Sequence, residues 1–144
     1  MAPRRIFETK LMKLTELRLH ERINPDYLRE FKKRIESGGV LKRAIAVDRN
    51  TNIILDGTHR FYALKELGCK KIPATLFDYR LPEIQVRSWR KGIKVTKDDV
   101  IEAGLGKKKK LPPHTSKHII KMGSTSKHIS AVEEKVNIPL ESLR

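Results

Sequence analysis

A short apolar run, Asn52-Ile-Ile-Leu55, passes through Asp56-Gly-Thr-His-Arg60 into Phe61-Tyr-Ala-Leu-Lys-Glu-Leu-Gly68. Phe61, Leu64 and Leu67 recur at helical spacing, so the stretch predicts a strand that turns directly into a helix. Such a helix must pack on the sheet that holds the strand. The join carries an acid, a glycine, a hydroxyl, an imidazole and a guanidinium, which is more chemistry than a chain reversal needs. A helix start has unpaired N–H groups and about half a positive charge, so phosphate binds there readily. Gly57 allows close approach of a ligand to the backbone. Thr58 offers a hydroxyl, His59 and Arg60 offer donors, and Arg60 can hold two phosphate oxygens at once. Asp56 is compatible with a phosphate if it binds Mg²⁺, or if it orients a nucleophile or a cation. The plainer reading is an N-cap, a turn glycine and a solvated first helical turn.

The flanking sequence supplies partners for this join. Met12-Lys-Leu-Thr-Glu-Leu-Arg-Leu19 mixes apolar and polar residues in the manner of a half-buried strand. Asn24-Pro25-Asp26 predicts a helix start, with a capping side chain, a proline at the first position and an acid on the dipole. Leu28, Phe31 and Ile35 come next at helical spacing, and Gly38-Gly39 ends the run. Ala44-Ile-Ala-Val47 and Asn52-Ile-Ile-Leu55 flank a turn and predict a hairpin. Lys71-Ile-Pro-Ala-Thr-Leu-Phe77 is the next strand, with Pro73 placing it at a sheet edge or a strand start. Ile84-Gln-Val-Arg-Ser-Trp-Arg90 predicts another strand, and Thr96 caps a short helix that ends at Gly104. Residues 104–113, rich in Gly, Lys and Pro, read as a mobile loop. Thr-Ser-Lys-His-Ile occurs at 115–119 and again at 125–129. Two copies are too few for a solenoid; they are either paired strands with similar ends or chance. The expected fold is α+β, a compact domain with a mixed β-sheet flanked by helices over residues 1–106. A basic loop and C-terminal extension over 107–144 complete the same domain.

Charge narrows the partners. The chain has 32 Lys and Arg against 17 Asp and Glu, a formal net charge of +15. The partner is therefore expected to be anionic: nucleic acid, nucleotide or phosphorylated metabolite. Nonspecific, salt-dependent nucleic acid binding follows from this charge whatever the biological ligand. Lys107, Lys108, Lys109 and Lys110 either steer anions or touch a nucleic acid backbone. The single Cys69 excludes an internal disulfide framework and a Cys-based zinc site. No apolar run approaches the roughly 20 residues that span a bilayer. Met1-Ala-Pro-Arg-Arg-Ile-Phe-Glu8 lacks the apolar core of a signal peptide, so a cytoplasmic location is expected.

Asp56-Gly-x-His-Arg60 at a strand-to-helix join, followed by an apolar helix, Gly68 and Lys71-Ile-Pro-Ala74, resembles the ParB/sulfiredoxin superfamily over residues 12–78. In sulfiredoxins the matching loop binds ATP phosphates and carries a reactive cysteine. Thr58 stands in the cysteine's place, so sulfinic acid reduction is not expected here. The archaeal free serine kinases of this superfamily are similar in more places. These are His20-Glu21 after the first strand, the Asp56–Arg60 loop, Ser88-Trp89-Arg90, and Pro112-Pro113-His114-Thr115-Ser116-Lys117-His118. Those kinases are longer, with extra material around the middle.

This resemblance implies phosphotransfer from ATP or ADP to the hydroxyl of free L-serine. Gly57, Thr58, His59 and Arg60 would hold the nucleotide phosphates. Glu21 would be the general base, and Asp56 would act through Mg²⁺ or on the serine hydroxyl. Trp89, Thr115, Ser116, Lys117 and His118 would complete the serine pocket. Without the resemblance, Glu21 reads as a solvated acid in a turn, Trp89 as strand packing and 112–118 as a basic surface loop. The alternative function is ParB-like DNA binding with nuclease or nucleotide triphosphatase activity. Against it, no helix-turn-helix pattern follows residue 78, and the loop is Gly-Thr-His-Arg where a CTP-binding ParB has a Gly-Glu-Arg-Arg type.

Overall fold

The computed structural model describes residues 7–144, so the first six residues of the N-terminal stretch read for a signal sequence lie outside the described residues. In chain order the elements begin with β1 (Thr9–Lys13), α1 (Pro25–Gly38), β2 (Val40–Arg43), β3 (Ile45–Asp48) and β4 (Ile54–Asp56). Then come α2 (Thr58–Glu66), β5 (Lys71–Phe77), β6 (Ile84–Ser88), α3 (Lys97–Gly104), β7 (Ser116–Met122), β8 (Thr125–His128) and β9 (Lys135–Pro139). The mixed α+β class is as expected.

A four-stranded sheet in the order β1-β5-β3-β4 forms the centre. β3 and β4 are an antiparallel hairpin, and β5 returns parallel to β3 after α2. Side chains on a strand alternate between faces. Ile45, Val47 and Ile54 therefore join Phe61 and Leu64 of α2 in one buried cluster, which Leu140 and Leu143 also enter. Ala46, Ile53 and Leu55 face the other way, into a second cluster with Tyr79, Ile84, Val100, Ile120 and Ile129. β6, β7 and β8 form an antiparallel sheet over this second face. The repeated Thr-Ser-Lys-His-Ile segments thus lie on paired strands. β9 pairs with β2, so the C-terminal segment closes onto the first half of the chain.

Asn24 caps α1 through a 3.0 Å bond from the Tyr27 N–H to its Oδ1, and Gly39 ends the helix in the left-handed region. Asn24→Ala is expected to cost about 1 kcal/mol of stability in urea unfolding.

Three expectations change. Residues 12–19 are not one strand: β1 ends at Lys13 and a 3₁₀ turn covers Leu14–Glu16. The three-residue gap between Leu14 and Leu17 matches that turn, and it lets both residues reach the core. Pro73 sits in β5, an interior strand, opposite Leu11 of β1. Pairing with β3 begins only at Ala74, so the missing proline N–H breaks no ladder on that side. The loop at 104–113 is anchored rather than free. The Leu111 N–H donates to the His20 carbonyl, and the Arg22 N–H donates to the Leu111 carbonyl, each at 2.9 Å.

The 3₁₀ turn also carries the chain from one edge of the sheet to the other. Beyond it, Arg18 bridges Ile53 in parallel and its carbonyl receives the Ile54 N–H at 2.8 Å. His20 and Glu21 consequently run beside the end of β4, where the Asp56 loop begins.

Candidate active site

Between the end of β4 at Asp56 and the start of α2 at Thr58 lies one residue, Gly57. Its φ is +115°, and a Cβ there would meet Ile45 Cγ2 at 2.4 Å. Only glycine fits, because the loop lies directly on β3. Gly57→Ala is expected to lower stability by about 1–3 kcal/mol in thermal or urea unfolding, through backbone strain and overpacking. Side chains cap α1 and α3, but none caps α2, and its first turn holds no acid. The first helical bond runs from the Phe61 N–H to the Gly57 carbonyl. The preceding N–H groups are free to receive an anion.

These N–H groups open on a cleft of about 270 Å³ lined by His20, Glu21, Asp56–Arg60, Trp89, His114, Ser116, His128 and Ser130 among others. Glu21 and the α2 start, 35 or more residues apart in sequence, share it. Glu21 is mostly buried and its Oε2 accepts two bonds from Ser116, one from the N–H at 2.7 Å and one from the hydroxyl. His20 Nε2 lies 2.8 Å from the same hydroxyl oxygen. The anchor at Leu111 carries the 112–118 segment to this place.

His59 is a wall of the cleft. Its Nε2 accepts the Asn24 N–H at 3.0 Å, so a neutral ring carries its proton on Nδ1. The ring stacks on His114 at 4.9 Å and 11°, and Tyr27 meets both edge-on. Burial and the neighbouring His114 lower the His59 pKa, with Glu21 opposing them, which favours the neutral ring.

Arg60 has its terminal nitrogens engaged. Nη1 donates to the Ala44 carbonyl at 2.8 Å, and Nη2 donates to Asp56 Oδ2 and to Glu133 Oε1, each at 3.0 Å. Arg60 is thus a strut between β4 and the C-terminal segment. The Glu133 side chain is fully buried. Burial pushes its pKa up to about 9; Asp56 adds to the rise and Arg60 opposes it. For Asp56, burial acts upward, but the hydrogen bond from Glu133 and the Arg60 charge hold it below the usual range. At neutral pH the trio is therefore one cation, one carboxylate and one neutral acid.

The trio makes stability depend on pH. Glu133 has a folded pKa above its unfolded value of 4.5, so its contribution is complete below about pH 4.5 and is lost as pH rises through about 9. Asp56 acts in the opposite sense, losing its contribution only as pH falls below about 4. Stability measured by urea unfolding is expected to decline between about pH 5 and 9, and Glu133→Gln is expected to flatten that decline.

Of the residues read from sequence, Glu21, Asp56, Gly57, Thr58, His59, Arg60, Trp89 and Ser116 line the cleft. Three others in the expected serine pocket do not. Thr115 is fully buried, donates to the Pro112 carbonyl at 2.7 Å and accepts from Arg90 Nε at 3.0 Å. His118 lies in the core, with Nε2 2.8 Å from the Tyr79 hydroxyl, and burial depresses its pKa to about 3, with His20 adding to the fall. Strand alternation sends it inward with Ile120. Lys117 points to the other face, where its Nζ sits 4.3 Å from the centre of the Trp89 ring. His114 comes from the 112–118 segment expected at the serine pocket, whereas Tyr27, Phe31, His128, Ser130 and Glu133 were given no site role from the sequence. A neighbouring groove of about 720 Å³ shares Phe31, Arg60 and Ser130 with the cleft. Ile35, Val40 and Leu41 line it, along with Arg34, Lys42 and Arg43.

No family model matches the chain. A ParB-like protein of Sulfolobus acidocaldarius is 49% identical over 47 residues, covering 33% of this chain and 24% of that protein. An ATP-dependent L-serine kinase of Desulfurococcus mucosus is 30% identical over 112 residues, covering 72% of this chain and 44% of that protein. A free serine kinase solved in complex with AMP superposes with a TM-score of 0.77 at 14% identity, across 99% of this chain and 96% of that one. The chain has the free serine kinase fold. The ParB/sulfiredoxin resemblance carried by Asp56-Gly-x-His-Arg60 is borne out by these sequence relatives and by the fold. The chain spans less than half the length of the curated relatives it matches.

Proposed function

We propose that this protein transfers a phosphoryl group from ATP or ADP to the hydroxyl of free L-serine, giving O-phospho-L-serine. The observation that carries this reading is a single small cleft shared by an uncapped helix start and a buried carboxylate. The α2 N–H groups receive the nucleotide phosphates, with Thr58 beside them. Glu21 takes the proton from the acceptor hydroxyl. Such chemistry is mostly positioning and charge neutralisation. Trp89, half exposed at the cleft wall, bounds the serine site with His114 and His128. The apolar groove beside Phe31, with its arginines, suits the nucleoside end. The Desulfurococcus mucosus relative is named an ATP-dependent L-serine kinase and one of Thermococcus kodakarensis an ADP-dependent L-serine kinase, which supports either donor.

Among the described residues, no three His, Cys, Asp or Glu side chains converge as a metal cage. Mg²⁺ in phosphoryl transfer needs only one or two carboxylates, with phosphate oxygens and water completing its shell. Asp56, ionised and on the cleft wall, fits that need, and the metal would neutralise phosphate charge there. Residues 107–144 complete the same domain in this reading, since Ser116, His128 and Glu133 all reach the site. No helix among the described residues is long and apolar enough to cross a membrane; we place the protein in the cytoplasm, where nucleotide and free serine occur together. For ParB-like DNA binding, the support is the net charge, the lysine run at 107–110 and the segment shared with a ParB-like protein.

Incubating the folded protein with L-serine, Mg²⁺ and ATP or ADP is expected to yield O-phosphoserine. No product with either donor would reject the proposal.

A further inference from the structure

The Glu21 carboxylate already holds a hydroxyl, and it belongs to the protein. Ser116 donates its O–H to Glu21 Oε2, which is the contact an acceptor hydroxyl must make with its general base. Because that proton points at Glu21, His20 Nε2, 2.8 Å away, donates to Oγ. A hydroxyl oxygen has two lone pairs, so one remains for attack. Ser116 begins β7 and is held in register opposite Ser88, and its N–H is tied to Glu21 as well. The hydroxyl is therefore fixed in place, as a reacting group should be. It lines the same cleft as Gly57, Thr58 and His59, and at about 270 Å³ that cleft holds little more than phosphate groups and a small acceptor.

Other hydroxyls nearby lack this arrangement. Ser130 Oγ pairs with His128 Nδ1 at 2.8 Å, and the buried Thr115 donates to the Pro112 carbonyl. Thr58 lines the cleft without a bond to Glu21.

We propose that Ser116 is itself a phosphoryl acceptor, modified in cis by the nucleotide in this cleft when free serine is scarce. The proposal rests on the serine kinase reading above. Oγ attacks the terminal phosphorus, an Oγ–P bond forms, and the bond from that phosphorus to the bridging oxygen breaks. The electron pair leaves with the shortened nucleotide, and the hydroxyl proton passes to Glu21. The phosphoester removes the O–H that bonded Glu21 and sets a dianion against a carboxylate. It also occupies the place of an incoming serine hydroxyl, so modified protein is inactive until the phosphate is removed. Free serine competes for Glu21 and protects the site.

The test uses the full chain, Mg²⁺ and ATP labelled at the terminal phosphate, or ADP so labelled, with and without excess L-serine. Products are followed as O-phosphoserine and as labelled protein, with the modified residue located by peptide mass spectrometry. The expected result is up to one phosphate per chain, on Ser116, at a rate independent of protein concentration. Free serine suppresses it, and Ser116→Ala and Glu21→Gln each lose it. Formation of O-phosphoserine with no label on Ser116 in the serine-free arm overturns this inference and leaves the kinase reading standing. Label on Thr58 or Ser130, or label that persists in Ser116→Ala, also overturns it. Absence of both products removes both readings.

Discussion

Glu21→Gln is expected to lower O-phosphoserine formation by about 10²–10⁴-fold, the usual contribution of a positioned general base. Glutamine has nearly the shape of glutamate, and its carbonyl oxygen can still accept both Ser116 bonds. It cannot take a proton. Folding and nucleotide binding are therefore expected to survive, because the phosphate site is backbone at the start of α2. Steady-state product formation and nucleotide titration on the same sample separate the two effects. A variant that turns over at the parental rate would show that the base lies elsewhere, with Asp56 the next carboxylate on the cleft wall.

Arg60→Ala is expected to be the most destabilising single change in the site, by about 3–5 kcal/mol. The guanidinium is mostly buried and bonds two carboxyl groups and a backbone carbonyl. Truncation leaves Asp56 ionised beside Glu133 with no cation between them, and it leaves the Ala44 carbonyl without that donor. The end of β4 then loses its tie to the C-terminal segment. Removing one partner of a buried pair costs more than the pair contributes. Hence Arg60→Met combined with Glu133→Gln is expected to be more stable than Arg60→Ala alone, with non-additive energies in urea unfolding.

The local signals in the sequence translated well. Asn24-Pro25 and Gly39 bound a helix through capping chemistry that involves near neighbours only. The strand–glycine–helix join at 54–58 was equally local. Arg60 was different. Its position in the loop suggests a phosphate donor, but Glu133, 73 residues further along, engages it. That pairing depends on β9 lying against β2, which no spacing reveals. Ser116 and His118 show the same limit. Both were legible as polar residues of one segment and share a face of β7, but their places along that strand decide that Ser116 meets Glu21 at the cleft while His118, one step further in, meets Tyr79 in the core. Glu21 was legible as an acid near a helix start. Its approach to the α2 loop depends on the Arg18–Ile53 bridge, a contact across the sheet.

The most direct measurement is a structure of the protein with Mg²⁺, L-serine and an unhydrolysable ATP analogue. The terminal phosphates are expected on the N–H groups of Gly57, Thr58 and His59, with the serine hydroxyl between the last phosphate and Glu21. A nucleotide bound elsewhere on the basic surface, with the α2 start empty, would contradict it.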